Sequence, residues 1–219
     1  MPARIFLTTY HPLIIRKEGR IAAQAYNLPP FVDASCRREP DLEHQFPSIS
    51  AICHAAGFAP RLHVGDTAVY CTVKRTHQGV KPAHWRLTSI LRVMKRFETH
   101  RDAADWYENQ YLLLPSNCLV RGNPPLPLDK TVGHYKDKEH GYIKANKVED
   151  WDINYQARKR CWGQFLVCES LFTELWNPPA FGADDAAAIF DKGRMLSTQT
   201  PPVITESEFN RLKHVCGIP

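Results

Sequence analysis

No run of about eighteen apolar residues occurs anywhere in the 219-residue chain, so no segment reads as a membrane span. There is no P-loop, no dinucleotide-binding fingerprint and no internal repeat, which sets aside the common nucleotide-dependent enzymes and the solenoids. The seven cysteines (36, 53, 71, 118, 161, 168, 216) include no C-x-x-C pair. An odd, scattered set fits reduced thiols, several of them small core residues, rather than a disulfide framework. The opening MPARIFLTTYHPLII has a short apolar stretch without the pattern of a signal peptide, and a cytoplasmic protein is expected. His44, Cys53, His54, His63 and Cys71 fall close together, but their spacing matches no structural zinc pattern; neither metal nor cofactor is expected. The net charge of +5 is well short of a polybasic tail, so charge alone only permits an anionic partner.

What is present is enough apolar material, 43% of residues, to bury a core as one large domain or a domain with an extension. Ala3–Thr9 and Leu13–Ile15 read as short strands separated by His11-Pro12. Pro47 is expected to open a helix in which Ile49, Ile52, Cys53 and Ala56 share a face, with Gly57 at its C-terminal cap. Gly65-Asp66 marks a turn into the β-branched, aromatic segment 67–75. In HWRLTSILRVMKRF (84–97) strict alternation would put Trp85, Leu87, Ser89, Leu91 and Val93 on one face and Arg86, Arg92 and Arg96 on the other. That second face is either a solvated surface or a basic strip that tracks phosphates. Thr99-x-x-Asp102 starts a helix, 112–130 is an ordered proline-rich loop, and 134–160 is polar, with Lys136, Lys138, Lys144, Lys147 and Arg158–Arg160 interleaved with Tyr135, Tyr142, Trp151 and Tyr155. Residues 163–170 return to strand character, and helices are predicted at Asp184–Phe190 and Glu206–Val215, the latter behind the capping box Thr205-x-x-Glu208. The sum is an α+β fold with a small, mostly antiparallel sheet.

Several strings carry a resemblance. RLHVGDTAVYCTVKR followed by HWRLTSILRVMKRFETH and RDAADWY resembles the PUA-like superfamily, in its EVE- and ASCH-type members. More narrowly, DASCRREPD, FPSI, VGD, HWRLTSILRV and LPSNCLVRGNPPLPLD are similar to the nucleotide-modification-associated domain families of bacteria and phages. The resemblance covers roughly residues 3–130. It implies a small curved β-barrel with flanking helices over 1–130, and a mixed C-terminal extension over 131–219 packed on it or continuous with it. It also implies a pocket for a nucleobase, often a modified one flipped from DNA or RNA, and does not by itself imply catalysis.

The stretch FVDASCRREPDLEH (31–44) is where a pocket is expected to find its polar groups. Asp33 follows an apolar segment and can accept from an exocyclic amine or ring N–H; Ser35 and Cys36 can line a small pocket. Arg37 and Arg38 suit bidentate phosphate or base contacts. The rival reading is a charged surface turn whose acids and arginines pair with each other. Asp33, Cys36 and Glu39 are the candidates for chemistry: a carboxylate for base excision, or a thiol if a base activates it. Ser116, Asn117 and Asn123 form a second cluster suited to an amide-like base edge, or to capping their own loop. Tyr70 and Trp85 are stacking candidates. Three functions follow from these expectations: recognition of a modified base, most simply in DNA; a DNA glycosylase or nucleotide-modifying hydrolase acting on hypermodified bases, suited to defence against phage; or a non-catalytic RNA–protein scaffold.

Overall fold

The computed structural model describes residues 2–53, 55–132, 134–137, 141–144, 147–191 and 200–219, with the backbone alone over 134–137 and 141–144. The fold is α+β. Strands β1 (Ile5–Tyr10), β2 (Ser48–Ser50), β3 (Thr67–Thr72), β4 (Trp85–Phe97), β7 (Phe165–Thr173), β8 (Ala180–Phe181) and β9 (Val203–Ile204) form one sheet. Its order is β2-β7-β4-β3-β1-β9, with β8 added beside the start of β4. All pairings are antiparallel except β1 with β3. The sheet is open, with β2 and β9 at its ends, rather than closed into a ring. Strands β5 (His134–Asp137) and β6 (Gly141–Lys144) make a separate hairpin. The helices are α1 (Lys17–Ala25), α2 (His100–Asn109), α3 (Val148–Cys161), α4 (Ala183–Ile189) and α5 (Glu206–Val215).

Strand β4 is the organiser, pairing with β3 on one side and with β7 and β8 on the other. The strict alternation expected for it fails at a bulge. Tyr70 pairs with Ser89 but Cys71 with Leu87, so one residue of β4 is passed over and the side-chain order inverts. Leu87 therefore packs with Val69 and Cys71 in the core beneath α4 and α5. Leu91 and Val93 pack with Ala68 and Tyr70 in the opposite core, which also takes Phe6, Tyr10, Phe58 and Leu166. The same inversion sends Arg86 and Arg92 to opposite faces, and the three arginines form no common strip.

Two expected elements change type. Ser48–Ser50, expected within a helix, is an edge strand on β7, followed by 3-10 turns at Ala55–Gly57 and Ala59–Arg61. A short apolar run suits a buried strand as well as a helix, and pairing with β7 decides it. Leu13–Ile15 forms a 3-10 turn leading into α1. The expected helices at 100–108 and 206–215 are present with their caps: Thr99 Oγ1 accepts from the Asp102 N–H, and Thr205 Oγ1 from the Glu208 N–H.

Candidate functional site

Residues 31–42 connect α1 to β2 and are buried throughout, although they carry five ionisable side chains besides Cys36. That excludes the solvated-turn reading. Arg38 has left-handed backbone (φ 35°), a conformation that costs a non-glycine residue free energy and needs external support. Its own guanidinium supplies that support, donating to the carbonyls of Asp33, Ser35 and Lys130 and to Glu43. The reversal brings the Glu39 N–H back to Asp33 Oδ1 at 3.1 Å, beside the Ser35 N–H (2.9 Å) and hydroxyl (2.6 Å). Asp33 Oδ2 takes no hydrogen bond from any described residue.

Glu39 is reached from two other directions. The Ser50 N–H donates to Oε1 at 2.9 Å and its hydroxyl to Oε2 at 2.6 Å, while Asn117 Nδ2 donates to Oε2 at 2.9 Å. Asn117 is fixed in turn by Ser48, whose carbonyl accepts from Nδ2 and whose hydroxyl donates to Oδ1. Burial pushes the Glu39 carboxyl up to about 8, against the lowering effect of its hydrogen bonds, and the neighbouring Asp33 charge adds to the rise. Burial likewise raises Asp33, outweighing the Ser35 and Glu39 donors and the Arg38 charge. Tyr155 of α3 lies at Ser35 and accepts the Trp151 indole N–H; burial, with the nearby Cys53 and Asp33, holds its hydroxyl well above the usual phenol range.

The two arginines between these carboxyls in sequence form their ion pairs with other acids, Asp152 and Glu43. Arg37, 2% exposed, makes a fork-to-fork pair with Asp152 of α3 (2.6 and 2.9 Å) and donates to the carbonyls of Ser116 and Asn123. Arg38, also 2% exposed, is the loop clamp just described. Neither guanidinium faces solvent, so the phosphate contacts expected of them are replaced by structural ones.

The remaining candidates separate clearly. Cys36 packs with Ile52, Leu119 and Tyr155, and burial pushes its thiol up to about 12 despite Arg37; a thiol so held is no nucleophile at neutral pH. Ser116 spends its N–H and hydroxyl on Asp41, and Asn123 donates to the carbonyls of Pro115 and Cys118, capping its own loop. All three meet the first cluster, Ser116 through Asp41 and Arg37, and Asn123 through its carbonyl on Arg37, but only Asn117 reaches a candidate carboxyl, that of Glu39. Tyr70 is a core residue in edge contact with Tyr10 and Phe58, and Trp85 stacks on Phe181 under the Lys74 ammonium; neither ring is a free platform. Arg86 donates to Asn177 and Pro178 and covers Phe31, Arg92 pairs with Glu169 on the surface, and Arg96 binds Glu98 and the carbonyls of Pro60 and Leu62.

Ser48, Ser50, Asp152 and Tyr155 were not recognisable as site residues from sequence. The Ser-x-Ser spacing around Ile49 was the one available signal, since alternation on a strand sends both hydroxyls to one face. No group of three His, Cys, Asp or Glu among the described residues is arranged to hold a metal; His54 lies outside them, as do the side chains of Lys136, Lys138, Lys144, Tyr135 and Tyr142. No family model matches the chain, and no curated protein or solved structure does.

Proposed function

We propose that this chain recognises a modified nucleobase, in DNA in the first instance, and that Asp33 reads the base edge. The observation that carries the proposal is the separation of charges in the 33–39 turn. Two carboxyls are buried with no guanidinium of a described residue bonded to either, while the two arginines beside them are bonded elsewhere. An uncompensated buried carboxyl destabilises a fold, and such groups concentrate at sites where they meet a ligand. Asp33 and Ser35, each 8% exposed, keep slightly more access than Glu39 at 3%. Asp33 Oδ2 is the acceptor left open for an amine or ring N–H of a base edge. In this reading the sheet is an open relative of the PUA-like barrel, the base is flipped to reach Asp33, and the protein works in the cytoplasm.

A second reading adds chemistry, and Glu39 favours it. A carboxyl holding its proton to about 8 is poised as a general acid beside a second carboxyl, Asp33, and glycoside cleavage uses such a pair. The test is paired: binding and base release, by mass spectrometry, for wild type and Asp33→Asn on hypermodified and plain DNA. A reader should lose about 1–3 kcal/mol of affinity for the modified base. An enzyme should keep binding within about tenfold and lose most turnover. Wild-type protein that neither binds nor cuts any modified DNA would end both readings.

A further inference from the structure

Strands β1 and β3 are the parallel pair of the sheet, so their carboxyl ends open at the same edge. In sheets with parallel strands that edge is where loops splay and ligands enter. A cavity of about 540 Å³ lies there. Its walls are Ile14, Ile15 and Arg20, from the segment after β1, and Arg75, Thr76, His77, Gln78 and Gly79, from the segment after β3. The lining holds two guanidiniums and an imidazole and no carboxylate. Arg75 makes no side-chain hydrogen bond or ion pair with a described residue, and Arg20 only a hydrogen bond to the Ile14 carbonyl (3.2 Å).

The wall behind the cavity also holds a buried donor that nothing described answers. The His77 ring stands 5.4 Å from that of His84 and 5.8 Å from Phe31, and the Arg86 guanidinium lies 5.2 Å over the Phe31 ring. Arg86 Nε, on a side chain at least nine-tenths buried, has no hydrogen-bond partner among the described residues, and His84, whose Nδ1 donates to the Pro82 carbonyl at 2.9 Å, leaves its Nε2 equally open. Arg86 is met by an amide oxygen and a carbonyl, never by a carboxylate. Gln78 has left-handed backbone (φ 54°) ahead of Gly79 (φ 78°), a strained turn at the cavity rim. Three guanidiniums, those of Arg20, Arg75 and Arg86, with no described carboxylate against them are what an anion of two or more oxygens completes.

The cavity adjoins the proposed base site. Pro12 bridges to Asp33, the Leu13 N–H donates to the Val32 carbonyl, and the Ala34 N–H donates to the His11 carbonyl. One wall of the cavity and the Asp33 turn are therefore parts of the same backbone-bonded unit.

We propose that Arg20 and Arg75 bind a nucleotide phosphate in this cavity, and so hold the backbone that flanks the base read by Asp33. The identity of the ligand as nucleic acid rests on the base-recognition reading; the phosphate chemistry does not. The role expected of Arg37, Arg38 and the β4 arginines thus passes to two residues on the β1 and β3 connections.

The test is fluorescence anisotropy of a labelled oligonucleotide carrying the modified base, over a salt series, for wild type, Arg20→Ala/Arg75→Ala and the control Arg92→Ala. Both target side chains are exposed, so the double variant should melt like wild type. It should bind about tenfold more weakly or worse at moderate salt, with the log–log salt slope shallower by about two, while the control is unchanged. Double-variant binding equal to wild type with an unchanged slope would overturn the phosphate assignment and leave base recognition standing. Should wild type bind no oligonucleotide, calorimetry with a nucleoside monophosphate and with pyrophosphate decides the remainder. Uptake by wild type and its loss in the double variant would keep the phosphate site and remove the nucleic-acid reading; no uptake would overturn the site as well.

Discussion

Arg37 Nε stands 2.6 Å from Asp152 Oδ1 across 115 residues of chain, and through this pair the 33–39 turn is fastened to α3. Burial would raise the Asp152 carboxyl, yet the bonds from Arg37 and Gln156 hold it below the usual carboxylate range. Removing one member of a buried pair leaves the other charged and unsolvated. Asp152→Ala should therefore destabilise the protein by roughly 3–5 kcal/mol in denaturant unfolding, whereas replacing both residues with apolar ones should restore much of the loss. A loss of under about 1 kcal/mol for the single change would show that water reaches Arg37.

Glu39 predicts a pH dependence of definite sign. Its folded pKa of about 8 lies above the ordinary 4.5, so between those values the native state holds a proton that the unfolded chain has released. Stability should fall as pH rises through that window, by at most about 1.4 kcal/mol per unit from this group. His77 and His100, lowered chiefly by burial to about 4 and about 3, act in the opposite sense below the usual 6.5. The comparison with Glu39→Gln isolates the carboxyl, because the histidines are common to both proteins. The wild-type melting temperature should drop relative to the variant from pH 5 to about pH 8. Parallel curves would mean that Glu39 is ionised in the fold.

Two of the β4 arginines, Arg92 and Arg86, should behave as different residues. Arg92→Ala removes a surface pair whose members are 52% and 42% exposed, and should change stability by less than about 0.5 kcal/mol. Arg86→Ala removes buried hydrogen bonds and the cover over Phe31, and should cost about 1–3 kcal/mol. Equal effects on stability from the two changes would contradict the bulge and restore the common strip.

Gly19 lies inside α1, where Gly→Ala ordinarily stabilises a helix by about 1 kcal/mol. Here an added Cβ would come within 1.6 Å of the Leu13 carbonyl oxygen. Gly19→Ala should instead destabilise by about 1–3 kcal/mol or more, read as an earlier thermal melt. A stabilised variant would mean that α1 and the 13–15 turn separate readily.

Much of this arrangement was legible before folding was considered. The caps at Thr99 and Thr205 are local chemistry, and both helices begin where those residues place them. The pairing of 67–72 with 84–97 follows from a turn signal and two β-branched segments. Helix α1 escaped because KEGRIAAQA carries a glycine and only a thin apolar stripe. Helix α3 escaped because its buried face is Asp152 and Tyr155 rather than aliphatic, although acids in its first turn and bases in its last favour a helix. The bulge in β4 depends on partners in β3 and was invisible to a count of alternating residues. At the site, the 33–39 cluster stood out by residue type. Which arginine meets which acid did not, because that depends on α3 arriving from far along the chain.

The position of β7 sets an order of events during synthesis. This strand lies between β2 and β4, yet it is made more than a hundred residues after β2. Until the ribosome has released residues 165–173, β2 has only its bridge from Ser48 to Asp41 and no partner strand, and one long edge of β4 stands open. The β7 pairing that seats Ser50 beside Glu39 therefore comes late, after residues 165–173 are made. The nascent chain must meanwhile carry an unpaired, apolar strand edge, which invites capture by other chains and makes this a protein whose yield should depend on elongation rate and chaperone supply.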